Sequence, residues 1–266
     1  MSVTIVSASQ SLLYLEGQGV AGLPADSMQQ TSVGFDYLSR LSSENGDWGS
    51  VALQGRLNVA SNALSSQLYN ATVKLKTAEG DVWVGHDKPA MGLSTWVDNH
   101  AWLLADLSMK GFGLDRDWGI GLTTQRSDGD DRYSLTKEAG LAGRRSWGVL
   151  NQDNSTIGMS AIIGNMILVG VDHAANWDNF EWVGDAFWGR VEDQPAYALM
   201  GRLSCNLLDE NKLKLDIQQI VTDLRGQALQ ETSLGLTYLI NSDWTARLIY
   251  QDNQVGFQGY YYARIL

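Results

Sequence analysis

Apolar and polar residues alternate along most of this chain, and this period of two restricts the possible folds more than any other feature. In residues 51–59, for example, Val51, Leu53, Leu57 and Val59 share one parity, and polar residues occupy much of the other. Successive side chains of a β-strand point to opposite faces, so the pattern predicts strands with one apolar and one polar face. Many of the alternating stretches have about the 9–11 residues that a tilted strand needs to cross a bilayer.

The alternation therefore predicts an all-β chain, folded as an antiparallel up-and-down transmembrane β-barrel that occupies residues 1–266 as one domain. We expect about sixteen strands, with fourteen as the alternative, because a turn at Gly164 and Asn165 would change the count in the ambiguous region 132–191. The expected strands lie near residues 2–16, 30–43, 48–60, 66–77, 81–87, 100–112, 117–126, 132–140, 145–151, 155–172, 180–191, 196–207, 212–221, 231–241, 244–251 and 255–265.

The connections between these stretches are of two kinds. Tight turns are expected at residues 44–47, 79–81, 115–117, 209–211 and 241–243, where Asp, Asn and Gly cluster. Longer polar connections are expected at 17–29, 87–99 and 221–230. Short turns at one end and longer loops at the other are typical of outer-membrane barrels.

Aromatic residues mark the ends of the predicted strands. Three tryptophans each follow directly on an aspartate of a tight turn, and four tyrosines lie near the other strand ends. We expect both sets to form the aromatic girdles of a membrane barrel, although aromatic residues favour strands in any case. The predicted interface residues are Trp48, Trp118, Trp244, Tyr69, Tyr133, Tyr197 and Tyr250.

Composition excludes several classes of protein. The net charge of -11 makes a nucleic-acid partner improbable, since nucleic-acid-binding domains are usually basic. No run of about 18 apolar residues is present that could form a transmembrane helix. A single cysteine, Cys205, allows neither an internal disulfide framework nor a cysteine-rich metal site. Residues 2–16 lack the pattern of a signal peptide, and we interpret the sequence as a mature chain without its leader.

No catalytic pattern stands out. His86, His100 and His173 are spread along the chain without metal-binding spacing, and no P-loop, GxSxG or CxxCH motif is found. His100 shares its predicted face with Lys110, which argues against a lipid-facing catalytic histidine. We therefore predict no enzyme, no catalytic residue, no metal and no cofactor.

If the apolar parity faces lipid, the polar parity lines the interior of the barrel. Its clearest members are mostly basic, and rings of Arg and Lys favour anions in pores, so a weak anion preference is expected. The alternative is that charge is merely tolerated on a wet surface. The predicted basic residues are Arg40, Arg56, Lys74, Lys76, Lys110, Arg202, Lys214, Arg247 and Arg264, and the acidic ones are Asp36, Asp106 and Asp216. Asp172 and Asp185 are further candidates for the interior.

Two segments resemble Gram-negative porins. Residues 231–250 (ETSLGLTYLINSDWTARLIY) resemble the penultimate hairpin of that superfamily, and residues 82–92 (VWVGHDKPAMG) are similar to the entry into the third loop of phosphate-selective porins. The resemblance implies that residues 87–99 fold into the barrel and narrow it, with His86, Asp87, Lys88 and Asp98 at the constriction. It also implies an outer-membrane location and a homotrimer.

Two features depart from the porin pattern. Many such barrels end in Phe or Trp, whereas this chain ends in Arg264, Ile265 and Leu266. The chain is also short for sixteen strands, so we expect trimmed loops and an open mouth. The expected function is a water-filled channel for passive diffusion of small hydrophilic solutes or ions. The alternatives are a plugged barrel that serves as a sleeve for a partner protein, and a soluble β-barrel binding module.

Overall fold

The computed structural model describes residues 10–22, 30–44, 46–60, 63–93 and 104–266 of the chain. Within these ranges sixteen strands form one closed barrel, in which each strand is antiparallel to its neighbours in sequence and β1 closes the barrel against β16. The sixteen-stranded up-and-down barrel predicted from the alternation is therefore confirmed. The strands are β1 (Ser11–Ala21), β2 (Ser32–Ser43), β3 (Gly46–Ala60), β4 (Ala63–Lys76), β5 (Asp81–Asp87), β6 (Asp117–Arg126), β7 (Gly129–Thr136), β8 (Gly140–Trp147), β9 (Ser155–Ile163), β10 (Met166–Trp177), β11 (Phe180–Val191), β12 (Gln194–Leu207), β13 (Leu213–Leu224), β14 (Gln227–Leu239), β15 (Trp244–Gln251) and β16 (Gln254–Arg264).

In the part of the chain that the structure describes, helical structure is confined to short segments in the connections. One turn of helix, α1 (Leu150–Asp153), lies between β8 and β9, and 3₁₀ turns cover Ser108–Lys110 and Asp209–Asn211. None of the helices in the described ranges has the length and hydropathy that a membrane-spanning helix requires.

The predicted number of strands is correct although two of the predicted strands are wrong, because one error removes a strand and the other adds one. The predicted strand 155–172 is two strands, β9 and β10, joined by a turn at Gly164 and Asn165. The predicted strand 100–112 is wrong, because residues 104–112 belong to the long connection between β5 and β6, and residues 100–103 lie outside the described ranges. Leu104, Leu107 and Phe112 are apolar there because they are buried inside the barrel, and not because they alternate along a strand.

Several predicted connections also differ from the structure. Residues 17–21 belong to β1, residues 1–9 lie outside the described ranges, and residues 221–230 form a tight hairpin around Arg225 and Gly226. Residues 115–116 end the connection from β5 to β6 and do not form a separate turn between strands. We call residues 88–116 loop 3, the end of the barrel that carries it the loop-3 end, and the opposite end the turn end.

The connections at the loop-3 end are mostly short, against the predicted asymmetry. Residues 164–165, 192–193, 225–226 and 252–253 are two-residue hairpins. Both residues of the last three pairs have positive φ, which is the geometry that matches the twist of two-residue hairpins. The prediction of trimmed loops is thus correct, and only the connections after β1 and β5 are long at this end.

The outer face of the wall is apolar and bears aromatic residues towards both ends. At the turn end these are Trp177, Phe180, Tyr238 and Trp244, and at the loop-3 end they are Phe35, Trp118, Tyr133, Trp188, Tyr197, Tyr250 and Phe257. Trp48 is also exposed at the turn end, as the extra residue of a β-bulge between β2 and β3. Apolar outer faces flanked by aromatic girdles are the arrangement of barrels in lipid.

Two of the predicted interface aromatics lie elsewhere than expected. Trp118 is on the outer face but at the loop-3 end, because the connection before it is loop 3 and not a tight turn. Tyr69 is buried inside the barrel, where its ring contacts Arg56 and Arg116. A β-bulge explains this, since Leu68 pairs with Gly55 and Asn70 pairs with Gln54, which leaves Tyr69 as an extra residue that reverses the alternation.

Candidate functional site

The strand register defines the inner face of the wall. Asp36 pairs with Gln54, Arg40 with Ser50, and Ser50 in turn with Lys74, so these side chains share the face that points into the barrel. The same register places on this face every predicted lining residue that lies in a strand. These are Arg40, Arg56, Lys74, Lys76, Arg202, Lys214, Arg247, Arg264, Asp36 and Asp216. Lys110 and Asp106 lie in loop 3, inside the barrel.

The sequence analysis missed several acidic residues on the inner face. Glu16, Asp130, Glu181 and Glu231, which were not predicted, share the inward parity with the basic residues. The two further candidates, Asp172 and Asp185, also face inward, and they pair with each other across β10 and β11. Alternation could have identified Glu16, which lies between outward Leu15 and Gly17. The described inner face therefore carries a similar number of acidic and basic groups, and it is not the basic wall expected from sequence.

Ion pairs across the inner face neutralise many of these charges. The guanidinium of Arg56 contacts the carboxylate of Glu16. Lys74 Nζ lies 2.9 Å from Asp87 Oδ2, and Lys110 Nζ lies 2.6 Å from Glu231 Oε2. Lys214 Nζ lies 2.5 Å from Glu181 Oε2.

The charged side chains differ widely in exposure. The side chains of Arg40 and Lys74 are 58% and 48% exposed to the interior. The side chains of Glu16 and Glu231 are only 1% and 3% exposed. Glu181 and Asp47 are 39% and 40% exposed, and Arg56 is only 1% exposed, so a solute inside the barrel can reach charges of both signs.

A buried network crosses β7, β8 and β10. Arg144 donates from Nε and Nη2 to the two oxygens of Asp172, at 2.9 and 2.7 Å, and from Nη1 to Asp130 Oδ1 at 3.3 Å. Asp130 also accepts hydrogen bonds from Ser146 Oγ and from Arg132 Nε. Bidentate Arg–carboxylate contacts are strong and directional, so they fix the geometry of this part of the wall.

The described part of loop 3 packs against the inner wall. Ala90 N–H donates to Ser134 Oγ at 2.9 Å, Leu93 N–H donates to Asp185 Oδ2 at 3.2 Å, and Gln218 Nε2 donates to Ala105 O at 2.9 Å. The buried apolar cluster inside the barrel joins loop-3 residues to residues of the wall. It includes Leu93, Leu107 and Phe112 from the loop and Phe187, Met200 and Ile220 from the wall.

The four predicted constriction residues do not all face the interior of the barrel. Asp87 ends β5 and faces inward, and Lys88 is the first residue of loop 3. His86 lies in β5 and faces outward, because it alternates with the inward positions Gly85 and Asp87. It pairs with Trp118 of β6, and the centroids of the two rings are 5.3 Å apart. Asp98 lies outside the described residues. Within the described ranges no group of three His, Cys, Asp or Glu side chains could hold a metal ion.

Comparison with known proteins gives matches of structure only. No protein-family model matches the chain, and neither does any curated protein sequence. The outer membrane channel DcaP of Acinetobacter baumannii has a TM-score of 0.68 at 12% identity, over 96% of this chain and 97% of that chain. The anion-selective porin from Comamonas acidovorans has a TM-score of 0.65 at 12% identity, over 97% of this chain and 100% of that one.

A third similar structure is OmpF of Salmonella typhi, in complex with daunomycin. Its TM-score is 0.68 at 11% identity, and the match covers 97% of both chains. These matches extend over nearly the whole of each chain. The chain therefore has the fold of the sixteen-stranded porins.

Proposed function

We propose that this chain forms a water-filled channel in the outer membrane of a Gram-negative bacterium, through which small hydrophilic solutes and ions diffuse without catalysis. The observation that carries the proposal is the division of the closed wall into two faces. Leu199, Ile217 and Val169 represent its exposed apolar outer face, and charged and amide side chains line its inner face. A soluble barrel requires the opposite arrangement, with an apolar interior and a polar exterior.

The similar structures support the membrane part of the proposal. DcaP is described as an outer membrane channel and the Comamonas acidovorans protein as an anion-selective porin. The outer face of this chain has the aromatic residues near both ends that such an environment favours. We extend the proposal to a homotrimer in the bilayer, as the porin resemblance implies.

The proposed weak anion preference is based on two basic side chains that a solute in the lumen can reach. Arg40 and Lys74 are accessible from the interior, whereas the carboxylates of Glu16, Asp172 and Glu231 are buried in ion pairs. Accessible basic side chains lower the barrier for anions. The preference is weak because Asp87 lies beside Lys74, and because the carboxylates of Asp47 and Glu181 are themselves 40% and 39% exposed.

Loop 3 supplies the proposed constriction. Its described residues lie against β7, β11 and β13, and they occupy part of the cross-section of the barrel. We propose that Asp87 and Lys88, together with Asp98 from the sequence prediction, border the narrowest part of the lumen. The outward position of His86 removes it from this set.

Liposome swelling tests the channel. Proteoliposomes with the purified full chain should swell in isotonic solutions of small neutral and charged solutes, and swelling should slow as the solute becomes larger. Reversal potentials in a KCl gradient should show a small excess of chloride permeability. Absence of swelling would favour a plugged barrel that serves as a sleeve, and clear cation selectivity would contradict the anion preference. Chemical crosslinking of the same sample should give a trimer, and a monomer only would contradict that part.

A further inference from the structure

A cavity of about 690 Å³ opens inside the barrel at the turn end, against β6 to β9. Thr123 and Gln125 of β6 line it from the wall, and Val149, Asn151 and Gln152 line it from the connection between β8 and β9. Its volume lies in the range of roughly 300–1,000 Å³ that is usual for small-ligand sites. The cavity is thus large enough for a solute of one or two sugar rings.

Hydrogen bonds hold the connection that borders the cavity. Gly148 N–H donates to Asp128 O at 2.8 Å, and Asn176 N–H donates to Asn154 O at 2.7 Å. Leu150 of α1 packs against the buried apolar cluster inside the barrel. The connection is therefore attached at both ends and in its middle, so the cavity is formed before any ligand arrives.

The charged groups around the cavity are engaged with one another. Asp130 accepts hydrogen bonds from Ser146, Arg132 and Arg144, and Arg144 also binds Asp172 with two nitrogens. A charged ligand would have to compete with these ion-pair partners, of which Arg144 and Asp172 are buried, and breaking a buried ion pair is costly. The network therefore favours an uncharged ligand.

The neutral polar groups of the cavity are open to a ligand. Within the described residues, the side chains of Thr123, Gln125, Asn151 and Gln152 form no hydrogen bond with another residue of the chain. Each amide side chain offers two donors and an acceptor, and each hydroxyl offers a donor and two acceptor lone pairs. Val149 and Leu150 add an apolar surface beside them. A solute with several hydroxyl groups and C–H faces matches both kinds of surface.

We propose that this cavity binds neutral polyhydroxylated solutes of monosaccharide to disaccharide size as they pass through the lumen. The inference rests on the proposed channel, because only a solute that enters the barrel reaches the site. Binding is weak, as it must be for a solute that has to leave again, and it is strongest for solutes that engage Gln125 and Gln152 together.

Saturation-transfer NMR on the full chain in detergent micelles tests the site without requiring current. Sucrose is the neutral probe, and succinate is the charged probe of comparable polarity. Sucrose should receive saturation from the protein. The Gln125→Ala and Gln152→Ala substitutions should each weaken its binding by about 2- to 10-fold, the range for one neutral hydrogen bond.

Gln254→Ala provides the matched control. Gln254 is an exposed amide at the start of β16 and faces inward at the loop-3 end, opposite Gln251. Its replacement should leave sucrose binding unchanged. Thermal unfolding of each variant checks folding, and Gln125→Asn, which keeps the amide, should retain more affinity than Gln125→Ala.

Three results would overturn the inference: no saturation transfer to sucrose, an equal loss in Gln254→Ala, or stronger binding of succinate than of sucrose. Conductance of the wild-type protein in planar bilayers separates this inference from the proposed function. A conducting barrel that does not bind sucrose refutes the site alone. A barrel that binds sucrose but does not conduct refutes the channel alone.

Discussion

Replacing Phe112 by alanine should loosen loop 3 from the inner wall. The ring of Phe112 is 1% exposed and belongs to the apolar cluster that also contains Leu107 and Ile220. Truncation of a buried Phe to Ala costs about 3–5 kcal/mol. At 1.4 kcal/mol for each factor of ten, the equilibrium between the packed and released loop shifts by roughly 100- to 3,000-fold.

Hydrogen exchange reports this shift directly. Phe112 N–H donates to Leu107 O at 3.0 Å and Lys110 N–H donates to the same oxygen at 3.1 Å, so these amides are protected only while the loop keeps its fold. Exchange in residues 107–114 should accelerate by up to the factor given above, and single-channel current should become noisier. Strand amides should exchange as before, because the barrel is closed by hydrogen bonds that do not involve the loop.

The control is Phe257→Ala, which removes an aromatic ring from the exposed outer face. It should leave the exchange of loop 3 unchanged. If Phe112→Ala and Phe257→Ala give the same exchange in residues 107–114, the apolar cluster does not hold the loop and the reasoning fails.

Three further changes test the wall. Arg144→Ala should lower the free energy of unfolding by about 3–5 kcal/mol, seen as a lower Tm in detergent, because it leaves the fully buried Asp172 carboxylate without its bidentate partner. Met159→Arg should cost about 2–4 kcal/mol in folding experiments with lipid vesicles, since Met159 faces outward in the middle of β9. Lys74→Gln should shift the reversal potential in a KCl gradient towards lower anion preference, because it removes an accessible positive charge.

Neighbouring positions supply the controls. Arg145, which follows Arg144, is 54% exposed, and its ion pair with Asp131 is worth about 0–1 kcal/mol, so Arg145→Ala should change the Tm little. Thr123→Arg places the same charge on the inner face and should be tolerated. Arg190→Gln removes a charge from the outward parity of β11 and should not alter selectivity. Equal effects in each pair would show that the faces of the wall are wrongly assigned.

The barrel could be predicted from sequence because its outer face is apolar and its inner face is polar. An apolar outer face and a wet inner face impose a period of two on every strand, and this is visible in β12 and β13 without any knowledge of their partners. The same parity placed Arg40, Lys74 and Arg202 on the inner face. The local pattern was sufficient to predict which way a side chain faces wherever a strand separates the apolar outer face from the polar inner face.

Prediction failed for side chains that are surrounded by other parts of the protein. Loop 3 is apolar at Leu104 and Leu107 because it packs on the inner wall, and this imitated a strand. One extra residue in β4 turned Tyr69 inward, and alternation cannot reveal a bulge before the pairing with β3 is known. The pairing of acidic with basic groups could not be predicted, because an ion pair such as Arg56 with Glu16 joins residues far apart in sequence.

Single-channel conductance of the purified full chain in a planar lipid bilayer tests the central claim most directly. An open lumen lined by polar and charged side chains predicts discrete current steps that scale linearly with voltage and with KCl concentration. A folded, membrane-inserted barrel that gives no such steps would show that the lumen is closed, and it would contradict the proposed channel.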